Sequence, residues 1–513
     1  MQALIKRNLL QLTNLYGLSH HLVLALLFIA AFGLRLSQAN QPPLNFHATR
    51  QYRSLIIARG YYVEKAGSIP EWEKRVALVS KQRQRILEPP VMEFLVSEGY
   101  RLVGGEQFWL PRVLSSFFWL ISGVFLYLIS KRFVDTAAAL ASVAFYLFLP
   151  FAVSASRSFQ PDPLMIMLML ASIYAMLRYD DQPTRVHYGI VILTSALTIF
   201  VKPISIFVIY STFIAIMLFR KGIRKSISDR ELLFFFIFTL LPVFTFYLYG
   251  IFVAGFLKDQ ATSSFLPTLL VDPFYWKGWI HNIRLTVGLF SFIAALFGIF
   301  MIRPGQYRYL MTGMWIGYAL FCLSFSYHIA THDYYHLQLL PIVALTLGPI
   351  FSLVIARLLE INREKHLRVA VGLMGLIALA LLAYEGRPRP LDSTMQREVN
   401  VAEEIGRQVN HAVDTVYLSS DYGLSLEYHG LLAGVPWPLI SDLEWEQLAG
   451  KKVLNARERF NTFFSQTSPS HFIVLDLAAY EQQADLKKFL TDTYPILVQS
   501  DDYIIFDLDH LKR

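Results

Sequence analysis

Eleven apolar stretches, most of them close to the length a helix needs to cross a bilayer, recur between residues 20 and 384. A hydrocarbon core asks for ~20 consecutive apolar residues in helical form, because backbone N–H and C=O groups find no water there. The stretches run near 20–38, 109–130, 134–152, 162–179, 187–201, 203–220, 232–255, 285–302, 309–326, 337–358 and 367–384. With 55% hydrophobic and only 16% charged residues over 513 positions, a soluble enzyme is excluded. The pattern reads as an α-helical polytopic membrane protein. Only Lys202-Pro203 separates the fifth and sixth stretches, and a proline there argues for a turn rather than one long helix.

Lys and Arg set the expected orientation, since short cytoplasmic loops collect them. Lys131, Arg132, Arg178, Arg185, Arg220, Lys221, Arg303 and Arg308 fall on one side; Arg157, Lys202, Lys277 and Arg284 fall on the other. Lys6 and Arg7 precede the first stretch, which reads as an uncleaved first span with a cytoplasmic N-terminus. The formal net charge of +8 belongs to this loop bias, so nucleic acid is not an expected partner. Cys322 is the single cysteine, which rules out a disulfide within the chain.

Two polar regions interrupt the pattern. Residues 42–108 form a long loop between the first two stretches, placed outside the cytoplasm by the charge bias. From about 387 to 513 the chain changes character. Helical spacing covers 395–411 and a helix is expected over 478–492. Strand-like runs cover 415–419, 471–477, 496–499 and 503–508, the last two as a hairpin around Ser500-Asp501-Asp502. The expected division is a membrane domain over 1–386, carrying the loop, and an extracytoplasmic α/β domain over 387–513.

The chemistry-bearing residues cluster on the outer side. As a helix, 46–62 brings His47, Arg50 and Ser54 to one face with Arg53 beside them, and it reads either as an anchor in anionic headgroups or as a cationic seat for phosphate. In Glu88-Pro-Pro-Val-Met-Glu93 the prolines stiffen the backbone, and Glu93 stands ahead of an apolar return. Asp162 lies between two prolines at the mouth of an apolar stretch, as a helix cap or a functional carboxylate, with Arg157 as its partner or a phosphate contact. Lys202 either snorkels to the interface or binds phosphate. His332-Asp-Tyr-Tyr-His336, with His328 nearby, allows His332 and His336 on one helical face. A divalent cation is conceivable there, although the H-E-x-x-H pattern is missing.

These segments resemble integral-membrane glycosyltransferases of the GT-C fold that use polyprenyl-phosphate sugars, the group that includes protein O-mannosyltransferases and lipid A aminoarabinose transferases. F-H-A-T-R-Q…I-A-R, E-P-P-V-M-E, G-E-Q-F-W-L-P-R, S-R-S-F-Q-P-D-P, Lys202-Pro203 and H-D-Y-Y occur in that order. The resemblance implies a polyprenyl-phosphate sugar as donor, a lipid, glycan or protein as acceptor, a prokaryotic plasma membrane as location, and transfer outside the cytoplasm. The family usually carries an acid near the start of its first outer helix; here Asn45, His47 and Arg53 stand there instead. The expected base is therefore Asp162 or Glu93, and the expected phosphate ligands are Arg50, Arg53, Lys202 and His332. A flippase or a lipid-binding pseudoenzyme is the alternative reading. The gathering of polar residues at one face, rather than along a path through the bilayer, favours the enzyme.

Overall fold

The computed structural model describes residues 20–67, 69–86, 88–254, 267–361, 365–448, 452–465 and 468–512. Lys6 and Arg7 lie outside the described residues. The chain divides into two compact units. A helical unit comprises residues up to Asn40, Ile86–Val91 and Pro111–Arg389; a mixed unit comprises Gln41–Arg85, Met92–Leu110 and Pro390–Arg513.

Each of the eleven apolar stretches is helical over most of its length in the helical unit. Among the described residues five helices are long and apolar enough to cross a membrane, or up to seven if each of two bent pairs is one span. His20–Leu36, Arg185–Val201 and Gly372–Gly386 are shorter apolar helices.

Two of the expected continuous spans are broken. Thr136–Phe148 and Pro150–Ser156 meet at 61° across Leu149, because Pro150 has no N–H to continue the ladder. Arg35, fully buried, covers part of the break: its Nη2 donates to the Leu147 carbonyl at 2.8 Å and its Nε to Ser156 Oγ at 2.7 Å. The second break, of 93°, falls between Pro273–Thr286 and Leu289–Met301, where Gly288 adopts φ 77°.

Helix Gln306–Ser324 packs closely on helix Ile206–Ile227 through Gly313 and Gly317. A Cβ on Gly313 would come within 2.8 Å of the Ser211 carbonyl oxygen, and one on Gly317 within 2.5 Å of Val208 Cα. Four-residue spacing of small residues is what close helix contact in lipid requires.

The mixed unit is built on a five-stranded sheet of order β2-β1-β3-β5-β4. The strands are β1 (Thr415–Leu418), β2 (Gly434–Pro436), β3 (His471–Val474), β4 (Ile496–Gln499) and β5 (Ile504–Asp507). β1 runs parallel to β2 and β3, while β5 is antiparallel to β3 and β4, so the expected terminal hairpin is present. Helices Leu477–Gln482 and Ala484–Thr493 occupy the expected 478–492 helix in two pieces.

The loop expected to belong with the membrane domain groups instead with the C-terminal residues. Helices Ala48–Val63 and Glu71–Arg83 bury Tyr52, Leu55, Ile56, Val76 and Ala77. Their polar side chains then bond to the C-terminal segment: Ser80 Oγ to the Leu432 carbonyl at 3.2 Å and Arg83 Nη1 to the Val413 carbonyl at 2.6 Å. Trp72 stacks on His411 with centroids 4.6 Å apart.

Candidate functional site

In the helical unit, helices Asp162–Asp181 and Arg185–Val201 form an antiparallel pair joined by a short turn, with a 2.6 Å hydrogen bond between Ser172 and Ser195. That topology puts the start of one helix and the end of the other at the same level. Asp162 opens the first. Lys202 closes the second in extended conformation (φ −151°, ψ 104°), the geometry a residue before proline is driven to.

The two side chains meet. Lys202 Nζ donates to Asp162 Oδ1 at 2.8 Å and to Oδ2 at 2.7 Å, with the side chains 2% and 1% exposed. The ammonium also lies 5.5 Å from the Tyr334 ring centroid and 5.6 Å from that of Tyr335. Tyr335 stacks on Phe321, and His328 and His332 pack against it at 5.0 and 5.9 Å. A buried charge is tolerable only when paired, and here the rings add quadrupole attraction to the ion pair. Sequence reasoning selects Asp162 and Lys202 separately; their pairing across 40 residues carries no local signal.

The histidines do not share a helical face. Helix Ser326–Thr331 ends before His332, whose backbone is extended, and a 3-10 helix covers Asp333–Gln338. His332 Nδ1 lies 2.7 Å from Thr331 Oγ1. His336 is fully buried, with Nδ1 2.6 Å from the Tyr318 hydroxyl and Nε2 3.0 Å from the Ile329 carbonyl oxygen. Both its nitrogens are engaged in packing, so it offers no lone pair to a metal. Among the described residues no group of three or more His, Cys, Asp and Glu is arranged to hold a metal ion.

Arg157 is not the partner of Asp162. It ends the short helix Pro150–Ser156, and its Nη2 donates to the Ser37 carbonyl at 2.6 Å. Burial, followed by the charges of Arg112 and Arg35, pulls its guanidinium down to about 9.

In the mixed unit, His47 is the cap before helix Ala48–Val63 rather than a member of it, with φ 45° and ψ 54°. Arg50 and Arg53 are half-buried on that helix. Glu93, in the first turn of helix Val91–Val103, is 7% exposed, and its Oε1 accepts from Ser54 Oγ at 2.6 Å. The apolar side of the 48–63 helix is therefore buried against protein.

Sequence reasoning missed an ion pair in this unit. Arg59 Nε donates to Glu106 Oε1 and Oε2 at 2.8 and 3.0 Å, its Nη1 to the Tyr428 carbonyl at 2.7 Å, and its guanidinium lies 3.8 Å from the Tyr428 ring centroid. Burial opposes the charge, but Glu106 more than reverses this and holds the Arg59 guanidinium above its ordinary value. Beside it, Tyr52 and His429 share a 2.8 Å hydrogen bond. Burial, with Arg59 adding to it, takes His429 down to about 3, so its ring is neutral. Both stand within motifs that carry the resemblance, Arg59 at the end of F-H-A-T-R-Q…I-A-R and Glu106 in G-E-Q-F-W-L-P-R, with no role implied for either.

A model of the dolichyl-phosphate-mannose-protein mannosyltransferase family matches residues 87–249, the stretch that holds Asp162 and Lys202. No curated protein sequence matches the chain. Among solved structures, ArnT from Cupriavidus metallidurans bound to undecaprenyl phosphate aligns with TM-score 0.57 at 13% identity, covering 96% of this chain and 97% of that one. The same protein in the apo state gives 0.55 at 14% identity, over 94% and 97%. The archaeal oligosaccharyltransferase AglB from Archaeoglobus fulgidus, in complex with an inhibitory peptide and a dolichol-phosphate, gives 0.57 at 13%, over 93% of this chain and 72% of that one. This chain has their fold. The GT-C architecture expected from the sequence is the observed one: a multi-pass helical membrane protein with a C-terminal α/β domain.

Proposed function

We propose that this chain is a membrane glycosyltransferase that moves a sugar from a polyprenyl-phosphate donor to an acceptor outside the cytoplasm, with inversion at the anomeric carbon. The observation that carries the reading is the buried Lys202–Asp162 pair under Tyr334 and Tyr335. The solved neighbours that hold undecaprenyl phosphate and dolichol-phosphate support the choice of lipid.

An ammonium has three N–H donors, and Asp162 takes two of them. The third is available to a phosphate oxygen. As the bond from the anomeric carbon to the phosphate oxygen breaks, its electron pair lands on that oxygen, and the Lys202 charge stabilises it. The acceptor hydroxyl attacks the opposite face of the same carbon, and its proton passes to a carboxylate. Lys202 turning toward phosphate loosens its hold on Asp162 and makes that carboxylate a better proton acceptor. Asp162 is thus the proposed base, with Glu93 as the alternative. Arg50, Arg53 and His332 are proposed as further phosphate ligands. The Lys and Arg bias supports a cytoplasmic N-terminus, with the chemistry on the opposite side.

Mass spectrometry of lipids co-purifying with the protein identifies the donor; a polyprenyl-phospho-sugar is expected, and recovery of ordinary phospholipids alone would count against the reading. With polyprenyl-phosphate mannose as probe, Asp162→Asn or Glu93→Gln is expected to abolish transfer. Unchanged transfer in both variants rejects the base assignment.

A further inference from the structure

Helix Pro273–Thr286 meets the apolar helix Leu289–Met301 at 93°. A helix at a right angle to a membrane span runs in the plane of the bilayer. One side of this helix is fixed to protein. Tyr275, Asn282, Ile283 and Thr286 are buried. The Tyr275 hydroxyl donates to the Cys322 carbonyl at 3.1 Å, and Asn282 Nδ2 to the Ile329 carbonyl at 2.9 Å. Gly278 lies so close to helix Ser326–Thr331 that a Cβ on it would come within 2.4 Å of the Ala330 carbonyl oxygen.

The opposite side is open and basic. At ~3.6 residues per turn, Lys277, His281 and Arg284 fall within about 60° of arc, and all three are exposed. Phe274 and Leu285 flank this stripe on one side, Trp276 and Ile280 on the other, and all four are exposed. The apolar surface continues into the span through exposed Leu289 and Phe290. The helix itself contains no Asp or Glu. Asp272, the residue before it, accepts from the Phe274 N–H at 2.8 Å. Among the described residues none of the three basic side chains has an ion pair or a hydrogen bond. A face turned to water alone would not set its charges between aromatic and aliphatic rows. Cations at headgroup depth, with rings and aliphatic chains at the acyl boundary, have this composition.

We propose that helix Pro273–Thr286 lies at the membrane surface and binds the headgroups of anionic phospholipids through Lys277, His281 and Arg284. The occupant is a bulk lipid such as phosphatidylglycerol. Its phosphodiester takes hydrogen bonds from the ammonium and the guanidinium, and the imidazole between them adds an N–H. Its acyl chains cover the apolar flanks, which a free anion or an acidic protein surface would leave bare. Three basic groups so close together repel, and anions seated among them remove that cost. The inward face then holds helix Ser326–Thr331 while the outward face holds lipid. Nothing in this seat depends on sugar transfer.

The test uses the full chain in phosphatidylcholine nanodiscs with a fluorophore on Ile280→Cys; the native Cys322 is buried and escapes labelling. Quenching is compared between doxyl-labelled phosphatidylglycerol and doxyl-labelled phosphatidylcholine, with the label near the headgroup. Stronger quenching by phosphatidylglycerol is expected, weakening as salt is raised. Lys277→Gln and Arg284→Gln are each expected to lower that preference by ~fivefold, the scale of one basic residue near an anionic surface. Lys277→Arg is expected to keep it, which separates loss of charge from loss of fold. Equal quenching by the two lipids in wild type, or a preference unchanged in the double Gln variant, overturns the proposal. No quenching by either lipid means that protein or water covers the face, and also overturns it. So does inorganic phosphate abolishing the preference more than chloride of equal ionic strength, which would make the site one for a free anion.

Discussion

Two ion pairs of this protein, the fully buried Lys202–Asp162 in the helical unit and the part-buried Arg59–Glu106 in the mixed unit, differ in how firmly each cation is fixed. Arg59 spends Nε on both carboxylate oxygens and Nη1 on a backbone carbonyl, and lies over the Tyr428 ring. A planar fork held at once by a carboxylate, a backbone carbonyl and a ring is a structural tie. Lys202 is a point charge on a flexible stem, with a third donor facing aromatic rings rather than a fixed acceptor. Such a cation can change partners. The contrast teaches that pairing alone does not mark a functional charge; the freedom of the cation to change partners does.

The largest effect expected from that contrast is on turnover. Lys202→Met should lower kcat by ~1000-fold, the scale of losing a charge-stabilising donor. The double variant with Asp162→Asn should be no worse than the worse single, since groups that act as a unit are not additive. Glu106→Gln should do the reverse, destabilising the chain by about 2 kcal/mol in denaturant while activity per folded molecule stays within twofold. A tenfold activity loss in the Glu106 variant would erase the distinction between the pairs.

A buried carboxylate with no cation bonded to it sharpens the comparison. Glu427 accepts from the Tyr417 hydroxyl at 2.6 Å and from Gln84 Nε2 at 2.8 Å, with no ammonium or guanidinium bonded to it among the described residues. Burial pushes it up to about 7, against Tyr417, the Gly434 N–H, Arg83 and Gln84, which pull it down. The folded state thus holds this proton more tightly than the unfolded chain, where the value is near 4.5. Its contribution is fully present below about 4.5 and is lost as pH rises through about 7. The loss is on the order of 3 kcal/mol. Glu427→Gln should flatten stability over that window, as measured by denaturation at pH 5 and pH 8. The smallest effect is expected at the rings: Tyr335→Leu should cost about 1 kcal/mol of transition-state binding, seen as a fall in kcat/KM of several-fold.

Much of this was legible in the sequence because membrane insertion is a local property. Apolar length alone located every helix later found among the eleven stretches, and Lys202-Pro203 announced its own turn. The breaks at Leu149 and Gly288 were not read, because hydropathy is blind to a missing N–H or a positive φ inside an apolar run. β2 escaped because three residues ending in proline show no alternation. Asp162, Lys202 and Glu93 were selected by chemical type, but their partners lie 40 residues away or, for Ser54, 39, and local pattern does not encode such contacts. His336 was chosen for being ionisable, and Tyr318 and Ile329 consume both its nitrogens. The expected division keeps the 42–108 loop with the membrane domain, whereas buried aliphatic residues and bonds to carbonyls of the C-terminal segment group all of it but residues 86–91 with the sheet.

Pro203 takes no part in any proposed bond rearrangement, yet it dictates where a positive charge can stand. Were an alanine there, the helix ending at Val201 could run straight into Ile206–Ile227, and residue 202 would become one more position on a continuous rod, its side chain swept round the axis with its neighbours. The imino ring denies that option and turns the lysine out of the helical path toward a carboxylate. The reactivity proposed for this protein is thus underwritten by an amino acid with no reactive group at all.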